Sequence, residues 1–303
     1  MEKQRLDYLD LAKGIAIFFV VFGHTGENLA SKFVYSFHMP LFFFLSGISL
    51  SLSRIENFKF VGRKIINLLV PFLILGSSGL VYGKQQMFSA YWYLPVLFSF
   101  SMVIFFNKIF KNIILKIFIN LILLAFVVVL LKSGNQFCNS LSFYCLAFFC
   151  PFLLGYFYLD YKDKAPEWLF SILLVAVVIT LPLYLDYQAE RHSILFHVYK
   201  NIIGIGITFC ILKVLQNVKI ENNTFLKNIT NIGKSTMAIY MFHFFLIGSF
   251  YYNGGLLDSV VNSVLTIVII LLCLIIEKFI LLSPFLSCVF LGKLPKKYIN
   301  MFY

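Results

Sequence analysis

The chain has 303 residues, is 60% hydrophobic and carries a formal net charge of +12. With a mean hydropathy of +0.89 it has too little polar surface to clothe a water-soluble domain, and apolar stretches of about 20 residues recur along it, long enough to cross a bilayer as helices. The charge does not point to nucleic acid, because its positions follow a membrane topology.

Ten transmembrane helices are predicted, at roughly 10–28, 33–53, 65–83, 91–107, 112–131, 141–159, 168–186, 194–215, 236–252 and 259–282. The first holds Lys13 and His24, eleven residues apart. Eleven residues are nearly three helical turns, so the two side chains share a face and lie roughly 16 Å apart along the axis. Ionisable groups inside a spanning helix are costly and are functional suspects by default. The second helix runs back antiparallel and holds His38, which falls at the depth of His24. An imidazole can serve as a general base near neutral pH. Pro40 removes a backbone donor, and a kink is expected there that opens space beside His38.

Helices 1 and 2 concentrate the polar and small residues, including Gly14, Gly23, Ser36, Ser46 and Gly47. They are expected to be buried near a cavity. The fifth helix and the middle of the seventh are almost purely aliphatic and are expected to face lipid. The longest loop, 216–235, is polar and asparagine-rich, with room for a short amphipathic helix at the membrane surface. No internal repeat is visible, and no matched pair of broken helices of the kind that builds many transporters. A single transmembrane domain over 1–303 is expected, with no appended soluble domain and no cleavable signal peptide. The six cysteines are scattered and read as packing thiols; Cys138 and Cys145 could meet near the outer face, and no spacing suggests a metal site.

Lys and Arg follow a strong positive-inside bias. Eighteen lie in or beside the termini and alternate loops that share one side, and four (Lys32, Lys84, Lys132 and Arg191) lie in the others. Both termini are therefore expected in the cytoplasm. The resulting fold class is all-α integral membrane: a bundle of about ten transmembrane helices in the cytoplasmic membrane of a cell, with membrane lipids and not nucleic acid around it.

Several motifs then resemble one family. Asp10-Leu-Ala-Lys-Gly-Ile-Ala-Ile-Phe-Phe-Val-Val-Phe-Gly-His24 resembles the opening helix of the membrane acyltransferase family 3, whose signature is Arg or Lys, ten residues, then His. Phe37-His-Met-Pro-Leu-Phe-Phe-Phe-Leu-Ser-Gly47 is similar to the second helix of its fucose 4-O-acetylase-like branch. Phe60-Val-Gly-Arg-Lys-Ile-Ile-Asn-Leu-Leu-Val-Pro71 resembles the basic approach to helix 3, and Tyr91-Trp-Tyr-Leu94 the aromatic start of helix 4. Ser235-Thr-Met-Ala-Ile-Tyr-Met-Phe-His243 resembles the late Tyr-x-x-His helix. The motifs occur in family order over most of the chain.

The resemblance implies an O-acyltransferase that takes an acyl group, often acetyl, from acyl-CoA at the cytoplasmic side. The acceptor would be a hydroxyl of a cell-envelope, capsular or lipid-linked sugar. His24 would act as general base or, alternatively, as a transient acyl carrier, and His38 would orient the acceptor or polarise the carbonyl. Lys13, Arg63 and Lys64 would hold the anionic end of acetyl-CoA, and Trp92, Tyr93, Lys200 and His243 would line the acceptor site. Each has a plainer reading: Lys13 as partner of Asp10, Arg63 and Lys64 as topogenic charges, Trp92 and Tyr93 as an interfacial belt, His243 as packing. The chain departs from the family pattern in using Lys13 where Arg is commoner, and in placing Asn67 where some relatives have a further arginine. The competing function is a transporter or flippase, against which no Asp or Glu lies near a helix centre. Glu277-Lys278 is expected to snorkel to the headgroups.

Overall fold

The computed structural model describes residues 6–26, 28–55, 57–81, 90–132, 135–164, 166–186, 194–221, 223–247 and 257–293. Helix accounts for 88% of them, and no strand is found among them. The helices are α1 (Asp7–Thr25), α2 (Leu29–Ser51), α3 (Lys59–Lys64), a π-helical turn (Ile65–Leu69), α4 (Val70–Val81), α5 (Tyr93–Ile109), α6 (Ile113–Leu131) and α7 (Gln136–Tyr161). They continue with α8 (Glu167–Asp186), α9 (Ile194–Gln216), α10 (Thr224–Lys234), α11 (Thr236–Ile247), α12 (Leu257–Leu281) and α13 (Pro284–Leu291). The chain is thus an all-α integral membrane protein. Eight helical stretches among the described residues are long and apolar enough to cross a bilayer, and Tyr93–Ile109 and Thr236–Ile247 are shorter apolar helices at two further expected spans.

The helices form two compact units, one of Met1–Leu52 and Cys150–Ile276, the other of Ser53–Phe149 and Glu277–Tyr303. In the first, α1 packs against α2, α9, α10 and α11, and α9 packs against α2 and α8. Two crossings bring backbones into contact because neither side carries a Cβ. A Cβ on Gly14 would strike the Ile229 carbonyl and one on Gly233 the Asp10 carbonyl, which locks α10 onto the start of α1. A Cβ on Gly47 would strike the Phe152 carbonyl and one on Gly155 the Phe44 carbonyl, joining α2 to α7. Small residues serve this purpose where no water drives helices together.

α10 is the amphipathic helix expected in the longest loop, with Phe225 exposed and its Gly233 edge buried against α1. α2 remains helical through Pro40, whose ring packs where a side chain on Gly204 of α9 would sit. The site beside His38 is thus shaped by a close crossing of α2 and α9.

In the second unit, the π-helical turn contacts α4, α5 and α13. One expectation changes here: Glu277 is buried and does not snorkel, because Lys293 reaches it at 2.8 Å. A buried carboxylate needs such a partner. Lys278 is exposed. All six cysteines are free thiols; Cys138 and Cys145 lie on the same helix, α7.

Candidate active site

Two local devices set up the first hairpin. Asp7 and Asp10 lie in the first turn of α1, where the helix dipole favours negative charge. At the far end of the hairpin Asn28 caps α2, accepting from the Ser31 backbone N–H at 2.8 Å. The turn returns α2 alongside α1, so that Tyr35 comes back to the level of His24. The Tyr35 hydroxyl and His24 Nδ1 are hydrogen-bonded at 3.0 Å, with the rings edge-on at a centroid distance of 5.7 Å. The other side of the story is His38, one turn further along α2, whose ring lies 5.0 Å from that of Tyr35. His24 and His38 therefore meet across the tyrosine.

A third imidazole joins them from α11. The His243 ring lies 5.7 Å from the His24 ring, and Phe244 fills the angle between them at 4.8 Å from His24 and 4.1 Å from His243. His38 and His243 are buried, and His24 is half-buried. Lys200 of α9 brings an ammonium within Coulombic reach of both His24 and His38.

In all three rings Nδ1 is already engaged. His38 Nδ1 lies 2.9 Å from the Val34 carbonyl, and His243 Nδ1 lies 3.0 Å from the Ile239 carbonyl and 2.8 Å from that of Tyr240. A carbonyl only accepts, so Nδ1 donates in both, and in the neutral ring the lone pair stands on Nε2. His243 Nε2 is fully buried and has no hydrogen-bond partner among the described residues. A buried acceptor left without a donor costs free energy, and an imidazole held in this state is suited to receive one from a bound molecule.

The expected residues are thus partly gathered. His24, His38, His243 and Lys200 come together in the first unit. Lys13 is on the same helix, nearly three turns from His24, and pairs with buried Asp10 at 3.7 Å. Arg63, Lys64, Trp92 and Tyr93 belong to the second unit. There Arg63 donates to the Arg54 carbonyl at 3.0 Å, and the Lys64 ammonium lies 5.5 Å above the Phe60 ring. Trp92 stacks on Tyr144 at 4.0 Å and on Phe148 at 5.6 Å, and Tyr93 is buried. His197 contacts Phe196 on α9, and His192 lies outside the described residues.

Tyr35 and Phe244 were not singled out from sequence. A signal for Tyr35 was present: Tyr35-Ser-Phe-His38 repeats the Tyr-x-x-His spacing of Tyr240-Met-Phe-His243, and three residues place both side chains on one helix face.

The family model for acyltransferase 3, described as an acyltransferase domain, matches residues 6–83 and 76–278. The chain belongs to the acyltransferase 3 family. No curated protein and no solved structure matches it. The match takes in α1, α2, α9 and α11, which carry all three histidines and Lys200. This chain is therefore a multi-pass membrane acyltransferase, and the transporter alternative gives way to acyl transfer.

Proposed function

We propose that this acyltransferase moves a short acyl group, acetyl in the first instance, from acyl-CoA to a hydroxyl of a cell-envelope or capsular sugar, or of its lipid-linked precursor. The observation that carries the reading is the convergence of His24, Tyr35, His38 and His243 at one depth of the helix bundle. Acyl transfer to a hydroxyl needs a base for the O–H proton and positive charge for the oxyanion. The cluster offers imidazoles for the first and the Lys200 ammonium for the second.

In this mechanism His24 Nε2 takes the proton of the acceptor hydroxyl, and the oxygen attacks the thioester carbonyl. The new C–O bond forms, the C–S bond breaks, and the proton passes from Nε2 to the departing thiolate. Lys200 faces the charge that develops on the carbonyl oxygen, and His38 and His243 orient the acceptor. Lys13, placed along α1 toward the N-terminal end, contributes a cation for the donor's phosphates. The positive-inside charge pattern supports cytoplasmic termini, on the side where acyl-CoA is found.

The test uses membranes bearing the wild type or His24→Ala, supplied with radiolabelled acetyl-CoA. Label is expected in the envelope glycan fraction, reduced by about 100-fold or more in the variant, the usual worth of a general base. Equal label in both would remove His24 from the reaction. Label in neither would show that acetyl-CoA is not the donor.

A further inference from the structure

Resting on the reading of His24 as the base, we infer that Tyr35 is its positioning residue: the Tyr35 hydroxyl oxygen accepts the Nδ1 proton of His24 and so keeps the lone pair on Nε2. The three imidazoles differ in what their Nδ1 atoms face. His38 and His243 turn Nδ1 to carbonyls of their own helices, which fixes their tautomer, because a carbonyl can only accept. His24 looks across to α2, and its Nδ1 meets a phenol, which can accept or donate. The direction of that one bond decides what His24 can do. If Nδ1 donates, Nε2 is a base; if Nδ1 accepts, Nε2 carries a hydrogen and cannot take another in the neutral ring.

Geometry holds the phenol in place. The Tyr35 ring lies between the His24 ring at 5.7 Å and the His38 ring at 5.0 Å, edge-on to both. It is carried by the first turns of a helix whose start is fixed by the Asn28 cap. When Nε2 takes the acceptor's proton, positive charge spreads to Nδ1–H, and its bond to the Tyr35 oxygen becomes charge-assisted and stronger. Tyr35 keeps its own proton throughout and makes no bond to the acyl group. It is the third member of the sequence hydroxyl, base, orienting group that recurs in activated nucleophiles.

The decisive experiment reads the tautomer and the rate separately. The full-length protein is labelled with ¹⁵N-histidine in lipid bilayers, and the His24 resonances are assigned by their loss in His24→Gln. The expected result is a protonated Nδ1 and an unprotonated Nε2 in the wild type, with that preference weakened in Tyr35→Phe, which keeps the ring and its contacts. In the labelled acetyl-CoA assay, Tyr35→Phe is expected to lower kcat by about 10- to 100-fold while leaving KM for acetyl-CoA within about twofold. A wild-type His24 protonated on Nε2 would overturn the inference, as would a Tyr35→Phe protein with unchanged tautomer and unchanged kcat. The expected tautomer without any transfer from acetyl-CoA would uphold the hold of Tyr35 on His24 and sink the donor assignment instead.

Discussion

Two helical hairpins, α1–α2 and α5–α6, are similar in sequence character and opposite in use. Both join apolar helices through a short turn, and both have an asparagine capping the second helix. In the first, 67% of the α1 span and 78% of the α2 span are buried; in the second, none of the α6 span is. Each hairpin also carries a polar contact between its helices. In α5–α6 it is a reciprocal amide pair, Asn107 with Asn120, each Nδ2 donating to the other's Oδ1 at 3.0 Å. The two amides bond to each other, Asn107 Nδ2 also donates to the Val103 carbonyl at 2.8 Å, and the pair serves as glue between helices. In α1–α2 the contact is Tyr35 with His24, which leaves Nε2 of the histidine for other chemistry. A polar group in a spanning helix is informative in proportion to what its partner leaves unsatisfied.

Three changes sharpen the contrast. The largest effect is expected where backbones touch around the first hairpin. Gly47→Leu would drive a side chain into Phe152 and Tyr156, and a loss of about 3 kcal/mol is expected, seen as a lower melting temperature in detergent. An unchanged melting temperature would mean that α2 and α7 separate easily, and close packing would not explain the burial. Next comes His243→Asn, whose amide nitrogen can still donate to the Ile239 and Tyr240 carbonyls while nothing replaces Nε2. Transfer is expected to fall by about 100-fold with the melting temperature little changed; normal transfer would reduce His243 to a packing residue. The smallest effect belongs to the second hairpin. Asn107→Ala is expected to cost about 1 kcal/mol, with transfer per folded molecule unchanged. A loss of transfer there would break the division between glue and chemistry.

Much of this was legible without coordinates. The exposed aliphatic surface of α6 and α8 follows from residues such as Leu121, Val129, Val178 and Ile179, all exposed in the structure. The burial of α1 and α2 follows from their glycines and hydroxyls, which are useful only against another helix. Glu277 went astray because a carboxylate near a helix end looks alike whether it snorkels or pairs, and its partner Lys293 lies beyond the next turn of chain.

By itself the sequence determined that the chain spans a membrane as an all-α bundle, where its apolar helices fall, and that Lys13, His24 and His38 are out of place in lipid. Those properties depend on length, local composition and helical period, all of which are written along the chain. Only the tertiary structure decided that His243 stands against His24, that Tyr35 bridges His24 to His38, and that α10 lies on α1. A hydrophobic pattern sets which residues share a helix face but not which face of which other helix it meets. That choice rests on backbone approach at a few glycines and on where each Nδ1 finds its partner, and both exist only once the helices are packed.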